Sequence, residues 1–116
     1  MTKASCAFCQ IVAGNAPADV IFQNDRVTAF YDQSPQAPTH VLVIPNEHIP
    51  SLDQVDDSEE DLVSELLVVT RNLARRLSLD EDGYRVVINT GPQAGQSVMH
   101  LHVHLLGGRR MRWPPG

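Results

Sequence analysis

His100-Leu101-His102-Val103-His104-Leu105-Leu106 decides how the rest of the chain is read. Three of the five histidines sit here at alternate positions. Strict polar/apolar alternation predicts a strand. Residues two apart in a strand share a face, so His100, His102 and His104 are expected to line one face, about 6–7 Å apart. Leu101, Val103 and Leu105 are expected to point into a core. An exposed strand face carrying histidine by chance is the bland alternative. Gly107 and Gly108 end the strand and allow a close backbone approach. Neutral imidazole is a good nucleophile near pH 7. A ring whose one nitrogen gives its proton to a backbone carbonyl keeps a lone pair on the other. That suits attack on phosphorus with a transient phospho-histidine bond. It equally suits metal ligation, and the triad alone leaves both open.

Outward from the triad, 116 residues predict a single domain, 1–116, that gains from dimerisation. The net charge of −5 and the lack of a basic run argue against a nucleic-acid binder, though not against binding one mononucleotide. No run of about 18 apolar residues is present, so no membrane partner is expected. Met1-Thr-Lys-Ala-Ser-Cys6 leads into no apolar region of signal-peptide type. A cytoplasmic protein with reduced cysteines is expected.

The two cysteines, Cys6 and Cys9, form a Cys-x-x-Cys pair before a short helix stopped by Gly14. Such a pair is half of a zinc site, a redox pair or two buried thiols. No βαβ context supports the redox reading. Zinc needs two further ligands, and His48 and His100 are available.

Residues 19–24 and 27–31 read as a hairpin turned by Asn24-Asp25. Asp32 follows; taken alone it is a turn residue before Ser34-Pro35. Phe8, Ile11, Phe30 and Tyr31 read as core. The loop 34–39, stiffened by Pro35 and Pro38, delivers His40 to an apolar, β-branched central strand, 40–44. Ser58-Glu59-Glu60-Asp61 resembles a capping box. Leu62, Leu66, Val69, Leu73 and Leu77 then mark one face of a long helix, with Arg71, Arg75 and Arg76 on a solvated face. Asp80-Glu81-Asp82-Gly83 is a turn without the spacing of a calcium loop. Residues 84–90 read as a strand. The Gly/Gln/Pro loop 91–97 is of a type that cradles phosphate with backbone amides. Within this stretch Asn89 reads as a strand-end residue and Ser97 as a turn hydroxyl.

The triad, with apolar residues at every intervening position, resembles the signature of the histidine triad (HIT) superfamily of nucleotide hydrolases and transferases. The ending Leu105-Leu106-Gly107-Gly108-Arg109, then Met111-Arg112-Trp113-Pro114-Pro115-Gly116, is similar to the Hint branch, the purine nucleoside phosphoramidases. The likeness runs from Ala7 to Gly116. It implies an α+β, HIT-like fold: about five mainly antiparallel strands with one long and one short helix, and residues 109–116 as a C-terminal arm. It implies a homodimer that hydrolyses a purine nucleoside 5′-phosphoramidate to the monophosphate and an amine, with no metal in the chemical step. His102 would be the nucleophile, His104 and Ser97 would stabilise phosphoryl charge, and His40 would help orient His102. Phe8, Ile11, Phe30 and Tyr31 would line a purine pocket, with Asp32 on the ribose hydroxyls. Asn89, Gly95 and Ser97 would contact the phosphate and leaving group, and Trp113 the partner subunit's leaving-group pocket. Members with a Cys-x-x-Cys imply structural zinc on Cys6, Cys9, His48 and His100. Many Hint proteins lack these cysteines, so the pair is a departure. Arg109, Arg110 and Arg112 read as a solvated basic turn, or as a preference for leaving groups that carry a carboxylate. Two other functions stay open. One is dinucleoside polyphosphate hydrolysis, which the Trp-Pro-Pro-Gly ending disfavours. The other is a nucleotide-binding regulatory or scaffold protein with incidental catalysis.

Overall fold

The computed structural model describes residues 3–116; Met1 and Thr2, part of the leader reading, lie outside the described residues. The expected hairpin forms from β1 (Val20–Gln23) and β2 (Val27–Tyr31). The Asn24 side chain makes its turn, accepting from Arg26 N at 2.9 Å and Val27 N at 2.8 Å. The remaining strands are β3 (Thr39–Pro45), β4 (Tyr84–Val87) and β5 (Val103–Gly107). Among the described residues they form one antiparallel sheet in the order β1-β2-β3-β5-β4, with β3 at its centre. The helices are α1 (Ala7–Val12) and α2 (Glu60–Arg76). The α+β architecture matches the expectation from sequence. No helix among the described residues is long and apolar enough to cross a membrane.

Alternation gives the sheet two faces with different tasks. Val27 and Ala29 of β2, Val41 and Val43 of β3, and Val103 and Leu105 of β5 pack with Leu62, Leu66, Val69 and Leu73 of α2. On the opposite face Phe30, Leu42 and Ile44 pack with Phe8 of α1 and with Cys6, which caps that helix. His102 and His104 belong to this second face, as the alternation requires.

Four details depart from the reading of the sequence. The sheet ladder begins at Val103, so His100, at the end of a bend, and His102 sit in a lead-in rather than in the strand itself. There Leu101 N bonds to Ile49 O at 2.7 Å, drawing the chain away from the sheet. β4 ends at Val87, paired with His104, short of the expected Thr90. The capping box is Asp56 with Glu59 rather than Ser58 with Asp61, because a 3-10 turn, Asp57–Glu59, precedes α2 and moves the start of the helix. Finally, Arg76 is not wholly solvated: its Nη1 bonds to Ile21 O at 3.1 Å, tying α2 to β1.

Candidate active site

A cavity of about 1020 Å³ opens on the α1 face of the sheet. Phe8, Ile11, Phe30, Tyr31, Asp32, His40, Ser97, His102 and His104 line it. Asn89, Gly95 and Trp113 are not among the lining residues. Trp113 is 82% exposed on the C-terminal arm, where Arg85 Nη2 holds Arg112 O at 2.9 Å.

Partners of fixed polarity assign the proton on each triad ring. The ring Nε2 of His100 faces the Pro45 carbonyl at 2.8 Å, and the ring Nδ1 of His102 faces the His100 carbonyl at 2.7 Å. A carbonyl oxygen only accepts, so both of these nitrogens carry the hydrogen. His100 therefore keeps a lone pair on Nδ1, and His102 keeps one on Nε2 in the cavity.

The third assignment comes from a donor. Gln36 N donates to His40 Nδ1 at 3.0 Å, so the His40 proton sits on Nε2. That Nε2 lies 2.9 Å from His104 Nδ1, which must accept. His104 then carries its hydrogen on Nε2, a buried atom without a partner among the described residues. His40 is thus hydrogen-bonded to His104, and His102 Nδ1 is held by the His100 carbonyl. Burial holds the His104 pKa down to about 4, with the neighbouring His102 and His40 rings acting the same way and Asp32 opposing. His40 is also lowered by burial, against the pull of Asp32 3.5 Å away. Both rings are neutral at pH 7, so the His104 N–H serves as a neutral donor into the cavity.

Asp32 combines both of its readings. One carboxylate oxygen accepts from Ser34 N at 2.7 Å and forms the turn, while the residue still lines the cavity. Asp32, His40 and His104 also have ligand atoms within 4.8 Å of one another. They do not suit a metal, because the bond from Gln36 N leaves His40 Nε2 protonated.

Cys6, Cys9, His48 and His100 are a different case. Cys9 Sγ lies 3.3 Å from His48 Nδ1 and 3.5 Å from His100 Nδ1, and Cys6 Sγ lies 3.4 Å from His100 Nδ1. Tetrahedral zinc, with bonds near 2.3 Å to sulfur and 2.0–2.1 Å to nitrogen, requires S···N separations of about 3.5 Å. The His100 tautomer presents its lone pair to this cluster. Desolvation by burial, partly offset by the Pro45 bond, lowers the His100 pKa to about 4, so the ring is a neutral ligand. The donor set fits zinc.

Gln96 was not singled out by motif or periodicity. Its buried side chain accepts from Gly91 N at 3.0 Å and donates to Pro50 O at 2.8 Å and Val98 O at 3.0 Å. It anchors the loop that carries Ser97. The only signal was its place in the loop before the triad. Leu42, Pro17, Ala18, Gln36 and Val98 also line the cavity.

Comparison with known proteins agrees with this geometry, and the HIT domain family matches residues 13–111. The chain belongs to the HIT domain family. The purine nucleoside phosphoramidase of Escherichia coli K12 is 45% identical over 102 residues, 88% of this chain and 86% of that protein. A crystal structure of a HIT family hydrolase from Legionella pneumophila superposes with a TM-score of 0.95 at 46% identity, covering 97% of this chain and 100% of that one. A zinc-bound histidine triad family protein from Mycobacterium smegmatis superposes at 0.82 with 32% identity, covering 94% and 78%. The HIT fold is therefore common to all three, and in this HIT domain the cavity, the triad and the cysteine cluster share one face of the sheet.

Proposed function

We propose that this HIT protein hydrolyses purine nucleoside 5′-phosphoramidates to the nucleoside monophosphate and an amine. The observation that carries the reading is the His102 tautomer: its Nδ1–H is committed to the His100 carbonyl at 2.7 Å, and its Nε2 lone pair faces the cavity. His102 Nε2 attacks the α-phosphorus, forming a nitrogen–phosphorus bond as the bond to the leaving nitrogen breaks. That nitrogen takes a proton from solvent and departs as the amine. The nucleotidyl-imidazolium keeps its Nδ1–H on the His100 carbonyl. Water then attacks phosphorus, the bond to His102 breaks, and a proton returns to solvent. The His104 Nε2–H and Ser97 donate hydrogen bonds to the phosphoryl oxygens as charge develops there.

Phe8, Ile11, Phe30 and Tyr31 hold the purine, and Asp32 accepts from the ribose hydroxyls. Asn89 and Gly95, outside the cavity lining, contact the leaving group as it extends beyond it. Zinc on Cys6, Cys9, His48 and His100 cross-links α1 to the triad lead-in and takes no part in the chemical step. A cytoplasmic homodimer completes the reading. The edge strand β4 leaves Tyr84 and Val86 exposed, as an interface would use them, and Trp113 reaches the partner's leaving-group pocket. The name and 45% identity of the Escherichia coli relative support the choice of substrate class.

The deciding experiment is turnover of adenosine 5′-phosphoramidate by wild type and His102→Ala. Loss of at least about 10³-fold in kcat is expected. Undiminished turnover by the variant overturns the mechanism, and tight nucleotide binding without turnover by wild type would select the regulatory reading.

A further inference from the structure

The proton arrangement of His40 and His104 depends on a residue held from two sides. Gln36 N donates to His40 Nδ1 at 3.0 Å, and Gln36 O accepts from Arg109 Nε at 3.0 Å. A second guanidinium nitrogen, Nη1, donates to Arg110 O at 3.0 Å, which fixes the plane of the Arg109 group. The segment is pressed close as well: an added Cβ at Gly108 would lie 2.9 Å from Pro38 Cβ, and Ala37 is buried. The basic turn after β5 is thus fastened to the loop that supplies the amide.

We propose that Arg109 is a positioning residue: by holding the Gln36 carbonyl it keeps the Gln36 amide on His40 Nδ1, and so fixes His104 as the N–H donor to the cavity. The logic is one of obligate polarity. While Gln36 N–H points at His40 Nδ1, that nitrogen cannot carry hydrogen. His40 Nε2 must then donate to His104 Nδ1, and the His104 hydrogen is forced onto Nε2. If Gln36 turns away, His40 Nδ1 is free to take the proton. The relay then reverses, and His104 presents a lone pair to the cavity instead of a donor. A lone pair there repels a phosphoryl oxygen. The exposed arginine that looked like a solvated turn thereby acts on the triad through one backbone amide and two rings.

Only the kinetic part of the test rests on the phosphoramidase reading. Two-bond ¹H–¹⁵N spectra of ¹⁵N-histidine-labelled protein report the tautomer of each ring directly. Wild type is expected to show His40 and His104 both protonated on Nε2. Arg109→Ala is expected to show mixed tautomers at both rings. Its kcat on an adenosine phosphoramidate should fall roughly three- to tenfold, with KM changed less than about twofold, as suits loss of one exposed charge-assisted bond. Arg109→Lys, which can still donate to the Gln36 carbonyl, should recover much of the Nε2 population. Unchanged tautomers in Arg109→Ala, or Nδ1-protonated rings in wild type, overturn the proposal. Shifted tautomers with unchanged turnover uphold the Arg109 role and remove the His104 hydrogen bond from the reaction.

Discussion

The backbone carbonyl of His100 accepts the Nδ1–H of His102 at 2.7 Å, while the ring of the same His100 faces Cys6 and Cys9. One residue therefore serves the His102 ring through its main chain and the cysteine cluster through its side chain. A nucleotidyl adduct is expected on His102 and on no other histidine. Rapid quenching followed by peptide mass spectrometry should find nucleotide mass there in wild type. In His104→Ala the adduct should still form, at a rate lowered about 10- to 10³-fold through loss of one hydrogen-bond donor. Label on His104 or His40 would contradict this assignment.

Metal content tests the cysteine cluster. Protein purified without a polyhistidine tag should contain close to one zinc per chain by elemental analysis. Chelation should lower the unfolding midpoint, since a structural site contributes folding free energy. Cys9→Ser should reduce zinc content and stability together. Metal-free protein as stable as the loaded form would count against the site.

Stability should fall as the solution is acidified from about pH 6.5 toward pH 4. In the unfolded chain His40 and His104 take protons near 6.5, whereas in the folded protein burial lowers both, His104 to about 4. Between those values the unfolded state binds more protons, so stability rises with pH across the window and is lost on descending it. Urea titrations at pH 7 and pH 5 should show this slope. His104→Asn should show a shallower one, and equal slopes in the two proteins would rule out His104 as its source.

Removing residues 112–116 should change the order of preference among amine leaving groups far more than affinity for the bare monophosphate. The arm carries Trp113, 82% exposed and outside the cavity lining of its own chain. A large indole left in water on an arm suits contact with a second subunit. Competition assays with amines of different charge and size measure the effect. An unaltered order would reduce the arm to a dimer tether.

Gly108→Ala should destabilise the fold by roughly 1–3 kcal/mol. Gly108 has φ +89°, and its new methyl would meet Pro38 at 2.9 Å. Denaturant midpoints with an unchanged m-value are the readout. A neutral result would mean that the loop 34–38 yields easily, which would also weaken the clamp on Gln36.

Much of this architecture is legible in the sequence because it depends on local periodicity. The alternation around His102 separates Leu101, Val103 and Leu105, packed with α2, from the histidines on the other face. The spacing of Leu62, Leu66, Val69 and Leu73 identifies the buried stripe of α2. Asn24 signals the hairpin turn. The Cys-x-x-Cys pair made a zinc site one of three readings, with His48 and His100 as available ligands, but the likeness to HIT proteins was needed to choose it, because Cys6 and Cys9 are far in sequence from His48 and His100. The capping box was misplaced by two residues because Asp56 and Ser58 are both good caps, and the Glu59 bond back to Asp56 N distinguishes them.

What the sequence by itself determined is which residues share a face, since backbone geometry ties side-chain direction to position along the chain. What only the tertiary structure decided is which nitrogen of each ring carries the proton. Pro45 O sets His100, His100 O sets His102, and Gln36 N sets His40 and through it His104. A neutral imidazole places its proton according to its partners, and for His100 and His104 those partners come from segments brought close only by the folded sheet.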